Sequence, residues 1–310
     1  MVLLVQDAPL IVVLNAGSGH DDKDQAEAAI RAALDAAGRR YEILTPDPDA
    51  LATTVAAAVA RAGGPGVLVA AGGDGTLNAV ATAALDAGWR LGIVPLGTFN
   101  FYARDLGIPL DAAEAARVLV DGATRAVAVG RINGHVFLNN ASFGLYRQLL
   151  EDREDVKRRF GRYRLIAGLA ALWTLWRHRR NYRLRVELDG REEHWRTPML
   201  FFGLNALQLE KLALHIATCA AEDRLAVLAP PALPRWRLLW LALKGAAHQI
   251  EEGRDLTCRC ASRVRMHWPG HARARVAVDG ESFECRLPLE VEVHPHALTV
   301  LVPRSPEPRE

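Results

Sequence analysis

Gly72-Gly73-Asp74-Gly75-Thr76-Leu77-Asn78-Ala79-Val80 is the run on which the reading of the chain's first part turns. An apolar run of strand character, Val67-Leu68-Val69-Ala70-Ala71, stands ahead of it. Behind it, Leu77, Val80, Ala81, Ala84 and Leu85 recur at helical spacing, which predicts a helix over 76–87. A strand that ends in glycines where a helix starts is a place to bind phosphate. Without Cβ atoms the backbone N–H groups can approach an anion, and the helix N-terminus adds partial positive charge. Asp74 would repel a phosphate, but a divalent cation such as Mg²⁺ removes the conflict, because it takes carboxylate oxygens and bridges to phosphate. The same residues would also make a plain strand–helix turn with an aspartate cap, so the neighbouring segments carry the weight.

Those neighbours alternate. Ile11–Leu14 reads as a short buried strand, Gln25–Ala37 as a helix ending at Gly38, Tyr41–Leu44 as a strand, and Ala50–Ala62 as a helix ending at Gly63. Leu91–Val94 and a helix near Asp111–Val120 follow the glycine run. This βαβαβαβα order with short loops predicts a parallel sheet covered on both faces. Ligands of such sheets sit beyond the carboxyl ends of the strands. Three loops there are polar and glycine-bearing: Asn15-Ala16-Gly17-Ser18-Gly19, Gly72 to Thr76, and Pro95-Leu96-Gly97-Thr98-Phe99-Asn100. One binding edge is expected.

Beyond residue 129 the period becomes two. Arg183–Leu188, Trp195–Phe202, Arg224–Leu228, Thr257–His267, Arg273–Val278 and Leu289–Val302 each read as an alternating strand, with turns at Asp189-Gly190, Pro269-Gly270 and Asp279-Gly280. Many short strands with such turns predict an antiparallel β-sandwich or barrel. The expected organisation is an α/β nucleotide-binding domain over 1–129, a β-sandwich substrate domain over 130–304 with a helical insertion at 151–181, and a flexible tail at 305–310.

Composition excludes several classes. With 310 residues, 50% of them hydrophobic, and a net charge of +2, nothing in the balance calls for a polyanionic partner, and no nucleic-acid partner is expected. Four cysteines, Cys219, Cys258, Cys260 and Cys285, are too few and too scattered for a disulfide framework. Cys258 and Cys260 would share one side of a strand and read as reduced thiols in preference to a metal site. No run reaches the length of a membrane span. The first residues, Met1 to Asp7, lack the pattern of a secretory signal, so a cytoplasmic protein is expected. The ten histidines show no ligand spacing.

The loops, in their order, resemble the diacylglycerol kinase catalytic-domain family, the bacterial lipid kinases related to sphingosine kinases. The likeness rests on Asn15 to Gly19, Gly72 to Asn78, the run from Pro95 through Asn100 and Asp105 to Pro109, and Asp279-Gly280-Glu281, with weaker echoes at Leu138 to Gly144 and Ala297 to Pro303. It implies an α/β nucleotide domain, like that of NAD kinases and diacylglycerol kinases, joined to a C-terminal β-sandwich, with catalysis in the cleft between them. ATP would be the phosphoryl donor, Mg²⁺ the cofactor, and a lipid hydroxyl, diacylglycerol-like or sphingoid, the acceptor. Nucleotide contacts would fall on Asn15, Ser18 and Gly19, on Thr45, on Gly72, Gly73, Asp74, Gly75, Thr76, Leu77 and Asn78, and on Thr98. Glu281 matches the catalytic base, with Asp74 the acidic partner of the metal at the phosphates. Asp223, with the carbonyls of Ala220 and Leu225, matches a structural Mg²⁺ site, although the family's glycine after that aspartate is Arg224 here.

Two departures bear on the acceptor. The commoner family run is Gly-Thr-Gly-Asn-Asp, and this chain has Gly97-Thr98-Phe99-Asn100-Phe101; Ala79 stands where glutamate is frequent. Either the acceptor pocket is more apolar, or transfer has been lost and only binding remains. A kinase of a soluble acceptor such as NAD is a further alternative, because NAD kinases share Gly-Gly-Asp-Gly-Thr. Peripheral association with the inner face of the membrane is expected from Lys157 to Arg164 and Arg177 to Arg183, which flank an apolar stretch bearing Trp173 and Trp176, and from a similar mix at 234–244. An oligomer is left open.

Overall fold

The computed structural model describes residues 8–15, 20–144, 181–210, 217–232, 234 and 256–305. The helical segment expected at 151–181, apart from Asn181, lies outside the described residues, as do Ser18, Gly19 and nearly all of 234–244. The chain divides into two compact units, Met1–Val129 with Pro295–Glu310, and Gly130–His294. Residues 295–304, expected with the second domain, therefore belong with the first.

In the first unit the order is β1 (Leu10–Asn15), α1 (His20–Ala36), β2 (Tyr41–Leu44), a single 3-10 turn at Pro48–Ala50, α2 (Leu51–Ala62), β3 (Val67–Gly72), α3 (Asp74–Ala87), β4 (Arg90–Pro95), α4 (Phe101–Asp105), α5 (Ala112–Asp121) and β5 (Ala123–Ile132), whose last residues enter the second unit. The strands lie in the order β2-β1-β3-β4, all parallel. Val300 adds a further parallel strand beside Leu91. Continuous apolar runs are what a sheet covered on both faces needs, and Val12, Val13, Val67, Val69 and Val94 are wholly buried. Each such side chain contributes about 1.5–3 kcal/mol relative to exposure. Asp111 caps α5, its carboxylate accepting from the amides of Ala113 and Glu114 at 2.9 and 3.0 Å.

The second unit continues with β6 (His135–Phe137), β7 (Asn140–Gly144), β8 (Tyr182–Leu188), β9 (Arg191–Thr197), β10 (Met199–Gly203), α6 (Ala206–Glu210), α7 (Ala217–Ala221), β11 (Leu225–Ala229), β12 (Thr257–Ala261), β13 (Arg263–His267), β14 (Arg273–Val278), β15 (Glu281–Arg286) and β16 (Leu289–Val302), which carries the chain back to the first unit. One antiparallel sheet has the order β12-β11-β10-β7-β14-β15, and the first residues of β16 join β13, β8 and β9 in another. Phe143 of β7 meets Tyr182 of β8 at 4.7 Å between ring centroids, tying the two layers.

Two runs read as single strands are in fact pairs. Trp195–Phe202 breaks at Pro198, and Thr257–His267 breaks at Ser262, each passing from one sheet to the other. The breaks are held by side chains. Thr197 donates its hydroxyl to the carbonyl of Met199 and accepts the Met199 amide, while Asp189 accepts the amides of Ser262 and Arg263. Strands that change sheets make the corners of a sandwich.

The cysteines also differ from expectation. Cys260 is joined to Cys219 in a disulfide with Cα atoms 5.5 Å apart, linking α7 to β12; Cys258 and Cys285 are free. Cys219 and Cys260 stand 41 residues apart, so spacing could not reveal the pair. Cys285 is buried, and burial pushes its thiol up.

Candidate functional site

In the first unit the glycine run falls where a parallel sheet concentrates its ligand contacts. Asn15, Gly72 and Pro95 are level neighbours at the carboxyl ends of β1, β3 and β4, and Thr45 follows the carboxyl end of β2. Strand spacing sets this row at about 10 Å from Asn15 to Pro95. Helix α3 begins at Asp74, two residues earlier than the periodicity predicts, with Gly73 extended before it. Among the first amides, that of Leu77 reaches the Gly73 carbonyl at 2.9 Å, whereas those of Asp74, Gly75 and Thr76 precede any intrahelical acceptor. Gly73, Asp74 and Asn78 are half-buried, Gly75 is exposed, and Thr76 and Leu77 are buried.

The glycines have separable reasons. A Cβ on Gly72 would stand 2.8 Å from the Asn15 carbonyl oxygen and from Thr76 Cβ, so packing alone demands glycine there. A Cβ on Gly73 would meet only Gly97 Cα, at 3.5 Å, which leaves that backbone accessible. Gly97 presses on the same loop, since its own Cβ would lie 2.7 Å from Gly73 Cα. The strand ends of β3 and β4 are thereby coupled.

Asn100 is a residue whose part the sequence did not disclose. It is buried, takes the left-handed conformation at φ +49°, and closes the loop that presents Thr98. Its side chain accepts the Gly97 amide at 3.0 Å and donates to the Gly97 carbonyl at 2.8 Å. Thr98 is exposed beside Phe99, which is 43% exposed and stacked on Phe101 at 5.5 Å between centroids. Phe99 therefore forms an apolar surface and not a core plug.

In the second unit, Glu281 starts β15 just after a two-residue hairpin turn, and its side chain is exposed. Asp279 and Gly280 both take positive φ, +45° and +98°, as an Asp-Gly turn of the primed kind requires. The Asp279 carboxylate accepts the amides of Leu138, Asn139 and Asn140 at 2.7, 2.9 and 2.9 Å, and its own amide returns to the Asn140 carbonyl. Behind these amides lies a buried amide network. Asn205 donates to the Asn139 side chain at 2.8 Å and caps Gln208, and Asn140 donates to Gln208 at 2.9 Å. The Asp-Gly-Glu turn is thus built on a rigid polar base, and the weak echo at Leu138 to Gly144 is the only sequence signal for it.

The candidate metal residues lie in the turn after α7. Asp223 takes φ +53°, and its amide donates to the Ala220 carbonyl at 3.2 Å, which leaves that oxygen a second lone pair. Arg224 turns its guanidinium to Asp189 at 3.1 Å and to the Cys260 carbonyl at 2.9 Å. One carboxylate and two carbonyls are hard oxygen donors of the kind Mg²⁺ takes, and the arginine that replaces the family glycine is engaged elsewhere. Among the described residues no cluster of three or more His, Cys, Asp or Glu could hold a metal.

A model of the diacylglycerol kinase catalytic domain matches residues 9–132. A probable lipid kinase YegS-like protein of Pseudomonas savastanoi pv. phaseolicola is 33% identical over 252 residues, 79% of this chain and 78% of that protein. For a YegS-like protein of Pseudomonas syringae pv. tomato the match is 40% identical but spans 47% of each chain, about half the relative's length. A diacylglycerol kinase of Bacillus subtilis is 43% identical over 89 residues, 28% of this chain and 29% of its own. The crystal structure of a diacylglycerol kinase from Bacillus anthracis superposes with a TM-score of 0.67 at 17% identity, covering 97% of this chain and 98% of that one; at such identity it shows the fold alone.

Proposed function

This chain belongs to the diacylglycerol kinase catalytic-domain family, and on that footing we propose that it transfers the γ-phosphate of ATP to a hydroxyl of a diacylglycerol-like or sphingoid lipid. The observation that carries the reading is the row Asn15, Gly72 and Pro95 at one sheet edge, with α3 opening from Gly73. The amides at the start of α3 would hold the phosphates, helped by the partial charge of a 14-residue helix. Thr45, Thr98 and the Thr76 and Asn78 side chains would complete the nucleotide contacts. Mg²⁺, held by Asp74, would neutralise charge as it builds on the transferring group. Asp223 with the carbonyls of Ala220 and Leu225 would hold a second, structural Mg²⁺.

Glu281 would accept the proton of the lipid hydroxyl as its oxygen attacks the γ-phosphorus and ADP leaves. Its exposure leaves it accessible to an acceptor, and the fixed turn before it limits how far it can swing. Phe99 offers an apolar surface where the family's commoner run has a glycine, which supports an acceptor with little polar structure beyond the hydroxyl. The same phenylalanines are what a non-catalytic nucleotide- or lipid-binding relative would carry. The basic and tryptophan-bearing segments at 157–183 and 234–244 would bring the chain to a lipid acceptor by peripheral association; among the described residues no helix is long and apolar enough to cross a membrane.

Labelled ATP with Mg²⁺ and a panel of diacylglycerols, sphingoid bases and NAD tests the reading. Label in a lipid product is the expected result. Label in NAD alone would assign a soluble acceptor, and ATP binding without any labelled product would assign the non-catalytic role.

A further inference from the structure

Asn139, Asn140 and Asn205 are buried together in the second unit, at 4%, 7% and 1% exposed, and their bonds make one connected set. Asn205 donates to the Asn139 side chain at 2.8 Å, and its own side-chain oxygen accepts the Gln208 amide at 2.9 Å, capping α6. Gln208 accepts from the Asn140 side chain at 2.9 Å. The amides of Leu204 and Asn205 both reach the Asn139 carbonyl, at 2.9 and 3.2 Å. The start of α6 is therefore bound to two consecutive residues, by side chains and by backbone.

The same two residues carry the turn before Glu281. The amides of Asn139 and Asn140 each donate to the Asp279 carboxylate at 2.9 Å, and the Asp279 amide returns to the Asn140 carbonyl. The turn grips the β6–β7 connection by its backbone, and α6 grips the same residues by their side chains. Connection and α6 stand 66 and 68 residues apart, and connection and turn 140 and 139, so neither contact follows from continuity of the chain.

Stability alone does not call for amides here. Two apolar side chains of the same shape would hold α6 in place about as well, because a buried hydrogen bond replaced at both partners costs little. What a satisfied amide network adds is a single fixed arrangement. The Glu281 side chain, by contrast, makes no hydrogen bond or ion pair among the described residues, so the place of its backbone decides where its carboxylate can reach.

We propose that Gln208 is a positioning residue for Glu281, held for that task by the Asn205 cap. Through Asn140 it sets where the Asp279–Glu281 turn stands, and so whether the carboxylate comes within about 2.6–3.2 Å of the acceptor hydroxyl. A shift of a reacting group by about 1 Å can cost about a hundredfold in rate, and the loss of one bond in this network should move the turn by a fraction of that. Gln208 touches no substrate in this scheme and acts only through Glu281. The inference rests on the reading of Glu281 as the base and adds α6 to the parts on which that base depends.

Gln208→Met keeps the size of the side chain and removes the oxygen that Asn140 reaches. It is made in the parent and in Glu281→Gln, and transfer from labelled ATP to diacylglycerol is followed. With Glu281 present, kcat should fall about tenfold while the KM for ATP stays within about twofold. In Glu281→Gln, where no base is left to place, the same substitution should change the residual transfer by less than about twofold. Unfolding midpoints in urea fix the conditions under which every variant is folded. Amide hydrogen exchange of the free protein gives a second readout. Gln208→Met should speed exchange at residues 138–140 and 279–281 about tenfold and leave the β8–β9 hairpin as in the parent. The proposal is overturned if kcat is unchanged, or if exchange at 279–281 stays that of the parent. It is also overturned if the loss is the same factor with and without Glu281, as general damage to the fold would give. A parent that labels no lipid overturns the proposed reaction, and exchange then decides alone whether α6 holds the turn.

Discussion

Asp279 and Gly72 look equally modest in the sequence, one a turn residue and the other one of three glycines in a row of four, yet each fixes a part of the structure that the proposed chemistry needs. The Asp279 carboxylate holds three amides of the β6–β7 connection, two of them buried asparagines. Asp279→Ala leaves those donors unsatisfied, and at about 1 kcal/mol or more for each the loss should be at least about 3 kcal/mol in urea unfolding. Asp279→Asn, which keeps the shape and one acceptor, should lose less. Gly72→Ala drives a methyl group to 2.8 Å from the Asn15 carbonyl, a backbone atom with no room to retreat. A loss of about 1–3 kcal/mol is expected, with weaker ATP binding because Asn15 and Thr76 must shift. Gly64→Ala, where an added methyl group meets nothing within 4 Å, should be neutral.

Strands and helices were legible where one periodicity governed a whole segment. The buried runs at β1, β3 and β4 and the helical spacing of α3 place the parallel sheet and the edge where its glycine loops meet, because burial on both faces leaves no other way to read them. The sandwich was legible as extended chain but not as sheets. A run that crosses from one sheet to the other keeps its alternation until a single residue, Pro198 or Ser262, and the atoms that hold the break come from distant positions. Asn100 was opaque for the same reason, since its value lies in a left-handed backbone and two bonds to Gly97. The Cys219–Cys260 bridge closes a loop of 41 residues and ties the turn bearing Asp223 to β12. Replacing both cysteines by serine should cost up to about 4 kcal/mol by loop entropy. If the Asp223 turn depends on that bridge, the same variant should also lose Mg²⁺ affinity, read by calorimetry.

Taken as a chain, the molecule is not two domains joined by one linker. The family model ends at residue 132, within β5, and β16 returns residues 295–302 to the first unit, so the chain passes between the units along two strands. The sequence drew its boundary at 129 from the change of period, but it had no signal that a long alternating strand would serve both units. The glycine-bearing sheet edge was legible because glycines and helix starts are local, whereas the proposed acceptor side rests on one glutamate whose spacing is that of any hairpin. Glu281→Gln therefore bears the most weight. With ATP, Mg²⁺ and an accepted lipid, transfer should fall by roughly a hundred- to ten-thousand-fold while ATP affinity is kept. Transfer at the parent's rate, or a loss of ATP affinity equal to the loss of turnover, would contradict the assignment of Glu281 as the base.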